Sequence, residues 1–497
     1  MKIFKYKLEI TVFVCGAVVM IFEIVGSRVL GPYFGTSIFV WTGLIGIVLA
    51  GLSLGYHLGG KMADKKPSFN VLSFLIFLAA VLVALTIIIK DLLLIFLQVS
   101  IVDIRISAII ASFILFLPVS IFLGMVFPYA AKLKLNNLDT SGKTIGNLYA
   151  ISTAGSIIGT FLAGFYLIPY IGTNKLLIIL SIILVIISLF LFTKKFLKLR
   201  ILFLIFMILG WFMFGGVNYL IGKVGLIDVD TAYNRVWIYN YKDQKTNKMV
   251  KIMGINNENH SSMFLDSEEL VNEYSKYYHL AEHFNLNFKK TLMLGGAGYS
   301  FPKKFLLSYP RATIDVVEID PEVTELARKY FRLKENPRLK IYHEDGRVYL
   351  NKTSKKYDVI FGDAFSSSYS VPYQLTTKEA VQKKYDILNE DGVVILNMVS
   401  AIEGEKGKFA RAEYITYKDV FPQVYLFPVD DSKNGYKVQN IILVALKSPK
   451  QQKFYSDNRE LNQYLQNVWG KEIIKDVPVL VDDFVPVDYY ISKIIQR

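Results

Sequence analysis

The stretch Thr291-Leu292-Met293-Leu294-Gly295-Gly296-Ala297-Gly298 decides how the second half of this 497-residue chain folds. A short apolar strand runs straight into a glycine turn, and a helix is expected to begin near Phe301. Gly295, Gly296 and Gly298 let the backbone approach a ligand closely and aim helix-start N–H groups at it. Working outward, a second strand over Thr313–Val317 ends in Glu318-Ile319-Asp320-Pro321. An acid about 20 residues beyond such a turn is placed to accept hydrogen bonds from ribose hydroxyls. A third strand, Leu339–Tyr342, leads to Glu344-Asp345-Gly346-Arg347, and a fourth, Tyr357–Phe361, to Gly362-Asp363-Ala364-Phe365. Asp345 either accepts from an adenine amino group, with Gly346 leaving room for the ring, or caps the helix that follows. Asp363 is expected to face the reacting centre. Alternating strands and helices imply a parallel sheet with crossover helices, a Rossmann-like α/β domain that binds ligands at the carboxyl ends of its strands.

Upstream, the alternating stretch Tyr233–Tyr241, the polar turn Lys242–Asn247 and the run Met249–Ile255 predict a β-hairpin. A helix is expected over Glu268–Phe284. Residues 223–290 therefore lead into a nucleoside-binding domain at 291–497.

Residues 1–222 have a different composition. A bilayer core takes roughly 20 mostly apolar helical residues to cross, and seven segments qualify: Leu8–Leu30, Ile38–Leu58, Val71–Ile89, Ile106–Ala130, Ile145–Tyr170, Leu176–Phe192 and Ile201–Ile221. Leu92–Val102 is apolar but too short to span, and an interfacial or re-entrant element is expected there. The sequence thus predicts a multi-pass transmembrane helical bundle of about seven helices in the cell membrane. Lys2, Lys5 and Lys7 precede the first segment; Lys61, Lys65 and Lys66 follow the second, Lys132, Lys134 and Lys143 the fourth, and Lys194, Lys195, Lys198 and Arg200 the sixth. By the positive-inside rule the N-terminus is cytoplasmic. Seven crossings then put the C-terminal domain outside, whereas a cytoplasmic supply of nucleoside cosubstrate requires it inside.

Within this half Glu23 is an ionisable group in an apolar segment, read either as paired with Arg28 or another helix near the outer surface, or as a substrate-gating group. Asp64 and the lysines near it form an expected charge cluster. Gly146, Gly155, Gly159 and Gly164 predict close helix packing.

Composition excludes several chemistries. The single cysteine, Cys15, rules out an intrachain disulfide or a cysteine metal cluster. Five histidines with no HExxH pattern give no reason to expect a metal. The net charge of +14 comes without an arginine-rich stripe or aromatic RNA-binding signature. It is read as meeting the lipid bilayer rather than nucleic acid.

The series LGGAG, VVEIDPEV, HEDGRVYL and YDVIFGDAF resembles the spermidine synthase (polyamine aminopropyltransferase) family, from roughly Tyr233 to the C-terminus. MIFEIVGSRVLGPYFG and LGYHLGGKMAD are similar to the N-terminal region of its membrane-fused members, and the latter also to a loop of major facilitator transporters. The resemblance implies that Glu318 holds the ribose, Asp345 and Gly346 the adenine side, and Gly295, Gly296 and Gly298 the nucleoside tail. It implies Asp363 as the catalytic acid and decarboxylated S-adenosylmethionine or S-adenosylmethionine as cosubstrate. It further implies a small-molecule amine acceptor and self-association into homo-oligomers. Tyr278 and His279 match the family's Tyr-His-Glu region and, with Ser366, are candidate substrate contacts. Asn259, His260 and Ser261 fall where the family places a ligand-contacting glutamine.

The departures are as informative. The family's polyamine-binding aspartate after the glycine loop is absent, since the loop continues Ala297-Gly298-Tyr299-Ser300. Its Asp-x-x-Asp-Pro strand end reads Asp363-Ala364-Phe365-Ser366 here, and serine is a poor general base without a partner. Aminopropyl transfer is the leading expectation. S-adenosylmethionine-dependent methyl transfer, or a transporter-like or sensing protein with a degenerate nucleoside domain, are the alternatives.

Overall fold

The computed structural model describes residues 6–101, 103–135, 137, 139–191, 197–223, 225–256, 258–364 and 371–495, with side chains between 212 and 224 left aside. The chain divides into two compact units, Met1–Val224 with Asp230–Ala232, and Gly225–Val229 with Tyr233–Arg497.

Among the described residues of the first unit, six helices are long and apolar enough to cross a membrane: Lys7–Phe34, Ile38–Lys65, Phe69–Ser100, Leu117–Lys134, Ser141–Ile171 and Thr173–Phe190. A further helix, Leu197–Lys223, covers the seventh expected segment. Two expectations need correcting. Leu92–Ser100 forms no separate element, because it continues the 32-residue helix Phe69–Ser100. At 1.5 Å per residue that helix runs about 48 Å, longer than a bilayer core. The expected single helix Ile106–Ala130 is instead two, Ile104–Leu115 and Leu117–Lys134, interrupted at Phe116 just ahead of Pro118. Proline's missing N–H and its ring disturb the preceding turn.

Glycine determines two of the helix pairings. A Cβ on Gly55 would lie 2.3 Å from the Ile121 carbonyl, and one on Gly124 2.7 Å from that of Leu52, so Ile38–Lys65 and Leu117–Lys134 meet backbone to backbone. Likewise a Cβ on Gly155 would lie 2.0 Å from the Phe13 carbonyl, and one on Gly159 2.5 Å from that of Ala17. Gly146 and Gly164 face open space, so only half of the expected glycine stripe packs. Asp64 pairs with Lys132 at 2.7 Å. Glu23 is buried, while Arg28, one expected partner, donates to the Thr231 carbonyl at 2.8 Å.

The second unit begins with a four-stranded sheet in the order β1 (Ile227–Asp230), β2 (Arg235–Lys242), β3 (Met249–Ile255), β4 (Glu258–Phe264). The predicted hairpin is its β2–β3 pair; β1 and β4 extend it on either side. The expected helix Glu268–Phe284 starts late, at Glu273. It is broken by a tight turn at Tyr277–His279 before resuming at Leu280–Phe284. Leu270 instead bridges back to Met263, and Glu268 and Glu269 pair with Lys303 and Lys304, which holds residues 268–270 out of helical geometry.

Seven strands follow: β5 (Lys290–Leu294), β6 (Thr313–Glu318), β7 (Leu339–His343), β8 (Tyr357–Gly362), β9 (Leu388–Ser400), β10 (Gln423–Pro428) and β11 (Gln439–Leu446). Their order is β10-β11-β9-β8-β5-β6-β7, all parallel from β7 to β9, with β11 antiparallel to both neighbours. This is an α/β doubly wound sheet. Alternate residues feed a core on each face, Met293, Val316 and Phe361 on one, Leu292, Val317 and Ile360 on the other. The order reverses between β5 and β8, and open α/β sheets take their ligands at such a switch point. Register levels the rim there, since Leu294 pairs with both Val317 and Gly362. The residues one step beyond each strand therefore converge.

Candidate active site

The glycine loop is a strained turn fastened from outside. Gly295 (φ +95°), Ala297 (φ +43°) and Tyr299 (φ +53°) are all in the left-handed region, which costs a non-glycine residue about 1–3 kcal/mol unless the surroundings enforce it. The Tyr299 hydroxyl lies 2.7 Å from that of Thr324, and the Tyr299 N–H donates to the Gly296 carbonyl. Gly295 must be glycine for a second reason, because a Cβ there would meet the Asp363 carbonyl at 2.3 Å. The glycine loop and the β8 strand end thus touch through backbone.

Glu318, at the end of β6, is buried under that loop. Its Oε2 accepts from the N–H groups of Gly296 (2.8 Å) and Ala297 (3.0 Å), and its Oε1 from that of Asp320 (3.0 Å). Burial raises its pKa, while these three donors favour the charged form. A carboxylate offers about four lone-pair sites. One is left for a ligand hydroxyl. Gly298 does not face a ligand in this way: its N–H donates to the Ser261 hydroxyl, and a Cβ would collide with Ser261 and Phe331.

Asp345 is the N-cap of the helix Gly346–Lys352, its Oδ1 accepting from the N–H groups of Arg347 and Val348. The capping alternative is therefore realised, yet it uses only one oxygen. Oδ2 takes a 3.3 Å hydrogen bond from Gln374. Gly346 sits under Leu375 and Leu294, an apolar ledge beside the loop.

Asp363 follows β8 and lines a cleft of ≈ 200 Å³ with Gly295, Gly296 and Tyr274. It is half-buried, solvent reaching the residue while protein crowds its carboxyl. Asn397 donates to Oδ1 at 3.0 Å and Tyr274 to Oδ2 at 3.3 Å. Burial outweighs these donors and pushes the carboxyl up to about 6. Asn397 is itself held through its Oδ1 by Asn440 at 3.0 Å. Tyr274, Asn397 and Asn440 were not singled out from sequence. For Asn397 a signal existed, a lone amide in the apolar run of β9; Tyr274 and Asn440 are brought in by folding alone.

Of the remaining candidates, Tyr278 is fully buried against Phe301 and Phe361, its hydroxyl close enough to the Asp363 carboxyl to favour the charged form of that acid. His279 turns elsewhere. Its Nδ1 meets the Tyr309 hydroxyl at 2.6 Å, and it lines a separate groove with Glu282 and Arg311. Ser366 lies outside the described residues. The site thus brings together Gly295, Gly296, Glu318 and Asp363, with Asp345 and Gly346 on the adjoining rim.

A spermine/spermidine synthase domain matches residues 272–429. A polyamine aminopropyltransferase of Vibrio vulnificus is 31% identical over 186 residues, 37% of this chain and 59% of the relative's length. The eEF1A lysine and N-terminal methyltransferase of Xenopus laevis is 32% identical over 151 residues, 28% of this chain and 21% of that protein. Among solved structures, a probable spermidine synthase from Corynebacterium glutamicum covers 48% of this chain and 85% of its own, at 23% identity and a TM-score of 0.40.

Proposed function

We propose that this chain, whose C-terminal unit carries a spermine/spermidine synthase domain, is a membrane-embedded transferase that moves an aminopropyl group from decarboxylated S-adenosylmethionine to an amine. The acceptor nitrogen attacks the propyl carbon bound to the sulfonium. The C–S bond breaks with its electron pair staying on sulfur, methylthioadenosine leaves, and the new ammonium gives a proton to the Asp363 carboxylate and on to solvent.

One observation carries the choice of donor. The cleft holding Asp363 is lined by a second acid, Glu258, and by neutral polar groups such as Asn272 and Asn397, with no Lys or Arg among its described lining residues. S-adenosylmethionine would bring its own carboxylate into that field, and like charges at close range are costly. The decarboxylated donor brings only an ammonium, which the two acids favour. Methyl transfer is disfavoured on the same ground.

Each residue then has a task. Glu318 offers its remaining lone pair to a ribose hydroxyl, and Asp345 Oδ2 with the Gly346 ledge receives the adenine side. Asn397 and Tyr274 orient Asp363 toward the amine. Catalysis comes mainly from holding two reactants in line, with a carboxylate near the positive charge that develops on the attacking nitrogen.

The test uses the full chain in detergent. Calorimetry with methylthioadenosine measures nucleoside binding, and transfer is followed from decarboxylated and ordinary S-adenosylmethionine to putrescine. Preference for the decarboxylated donor is expected. Failure to bind any adenosyl ligand, or methyl transfer in its place, would sink the proposal; binding without any transfer would favour a sensing role.

A further inference from the structure

Near its C-terminus the chain reads Leu480-Val481-Asp482-Asp483-Phe484, a turn closed between Val481 and Phe484. Leu480 is fully buried. Its N–H donates to the Thr416 hydroxyl at 2.9 Å, and its carbonyl accepts from the Lys378 N–H at 2.7 Å. The Asp482 N–H donates to Glu379 at 3.0 Å. These contacts hold the segment in place without using the Asp482 carboxylate. That carboxylate is engaged elsewhere: Oδ1 accepts from the Thr377 hydroxyl at 2.6 Å and Oδ2 from Arg347 at 2.7 Å.

Arg347 follows directly on Asp345 and Gly346, the rim proposed to meet the nucleoside. Its other terminal nitrogen donates to the Gln374 carbonyl at 3.0 Å and to the Thr377 hydroxyl at 2.9 Å. Gln374 reaches back, its side-chain amide donating to Asp345 Oδ2 at 3.3 Å, and Leu375 lies over Gly346. That oxygen keeps a second lone pair for a ligand. The tight turn Tyr373–Leu375 is therefore laid on the rim by one guanidinium, which one carboxylate aims. A guanidinium is a planar fork of fixed geometry, so an acid gripping one arm sets the direction of the other. The pair is 16% exposed on the arginine side and 47% on the aspartate side, too open to add much stability. What it fixes is a position. A displacement of about 1 Å in a positioning contact can cost about 10²-fold.

We propose, on the basis of the aminopropyl-transfer function, that Asp482 is a positioning residue for the nucleoside donor. It touches no reactant. It aims Arg347 so that the turn Tyr373–Leu375 stays seated against Asp345 and Gly346 at the spacing the nucleoside needs. Without the carboxylate, Arg347 gains rotamer freedom, and the Gln374 carbonyl loses a donor held in place. The C-terminal segment thus sets donor affinity from outside the cleft, and leaves the acceptor side around Asp363 and Asn397 alone.

The experiment is a double-mutant cycle on the full chain in detergent: wild type, Asp482→Asn, Arg347→Met and the two combined. Methylthioadenosine affinity is measured by calorimetry, KM is read for decarboxylated S-adenosylmethionine and for putrescine, and thermal midpoints check folding. Asp482→Asn is expected to weaken methylthioadenosine binding and raise the donor KM about fivefold or more. The putrescine KM should stay within about twofold. In the Arg347→Met background the same change should alter affinity by less than about twofold, because Asp482 acts through Arg347. Asp482→Glu, which keeps the charge, is expected to retain part of the affinity, and it carries the comparison if the asparagine variant does not fold. Unchanged donor affinity, a lower thermal midpoint alone, an equal rise in both KM values, or full additivity with Arg347→Met would each overturn the assignment. A wild type that binds no methylthioadenosine removes the transferase function itself, a separate failure.

Discussion

Asn397 donates its side-chain amide to the Asp363 carboxylate at 3.0 Å, and Asn440 in turn holds Asn397 at 3.0 Å. A residue at the rim of the sheet is thereby oriented by two amides from neighbouring strands, β9 and β11. Their separation in sequence hides the arrangement until the sheet forms.

The first consequence is a pH dependence. Asp363 must be ionised to receive a proton, and burial pushes its carboxyl up to about 6. Transfer activity should fall as pH drops through that value. Hydrogen bonds to a carboxylate favour its charged form, so Asn397→Ala should move the acid limb to higher pH. A pH–kcat profile of both proteins checks this, and a limb that stays put or moves down would acquit Asp363.

Asp363→Asn separates chemistry from stability. Loss of a positioned proton acceptor costs about 10²-fold or more in kcat, while methylthioadenosine affinity should persist. The carboxyl's folded pKa lies above its ordinary value of 3.8, so its contribution to stability declines as pH rises from there through about 6. At pH 8 the variant should therefore melt no lower than wild type. Thermal denaturation at pH 5 and pH 8, alongside turnover, reads both effects.

Glu318→Gln should weaken nucleoside binding and the fold together. The Gly296 and Ala297 N–H groups both point at Oε2, and an amide cannot accept from all three loop donors while presenting its own N–H. A buried donor left unpaired costs about 1–3 kcal/mol. A lower thermal midpoint with reduced methylthioadenosine affinity is expected; an unaffected affinity would remove Glu318 from the ligand site.

In the helical unit, Gly155→Ala and Gly146→Ala form a matched pair. The first puts a methyl 2.0 Å from the Phe13 carbonyl; the second meets nothing within 4 Å. Gly155→Ala should lower the unfolding temperature in detergent, and Gly146→Ala should be neutral or slightly stabilising, since alanine favours helix over glycine by about 1 kcal/mol. Equal behaviour would contradict the helix pairing.

By itself the sequence determined the apolar helical half, the alternation of strands and helices, and the acids that end successive strands. Those follow from local rules: hydrophobic length, period and glycine turns are properties of neighbouring residues. It also carried Glu318, Asp345 and Asp363 as candidates, because a strand end is visible wherever an apolar run meets a glycine or an acid. Only the tertiary structure decided that Asp345 spends one oxygen on a helix cap, that Gly298 packs against β4, and that His279 faces Tyr309 rather than Asp363. It alone brought Asn397, Asn440, Tyr274 and His260 to one cleft. The reason is physical. These four sit on β9, β11, β4 and a broken helix, and their proximity depends on strand order and register, which no local pattern of residues encodes.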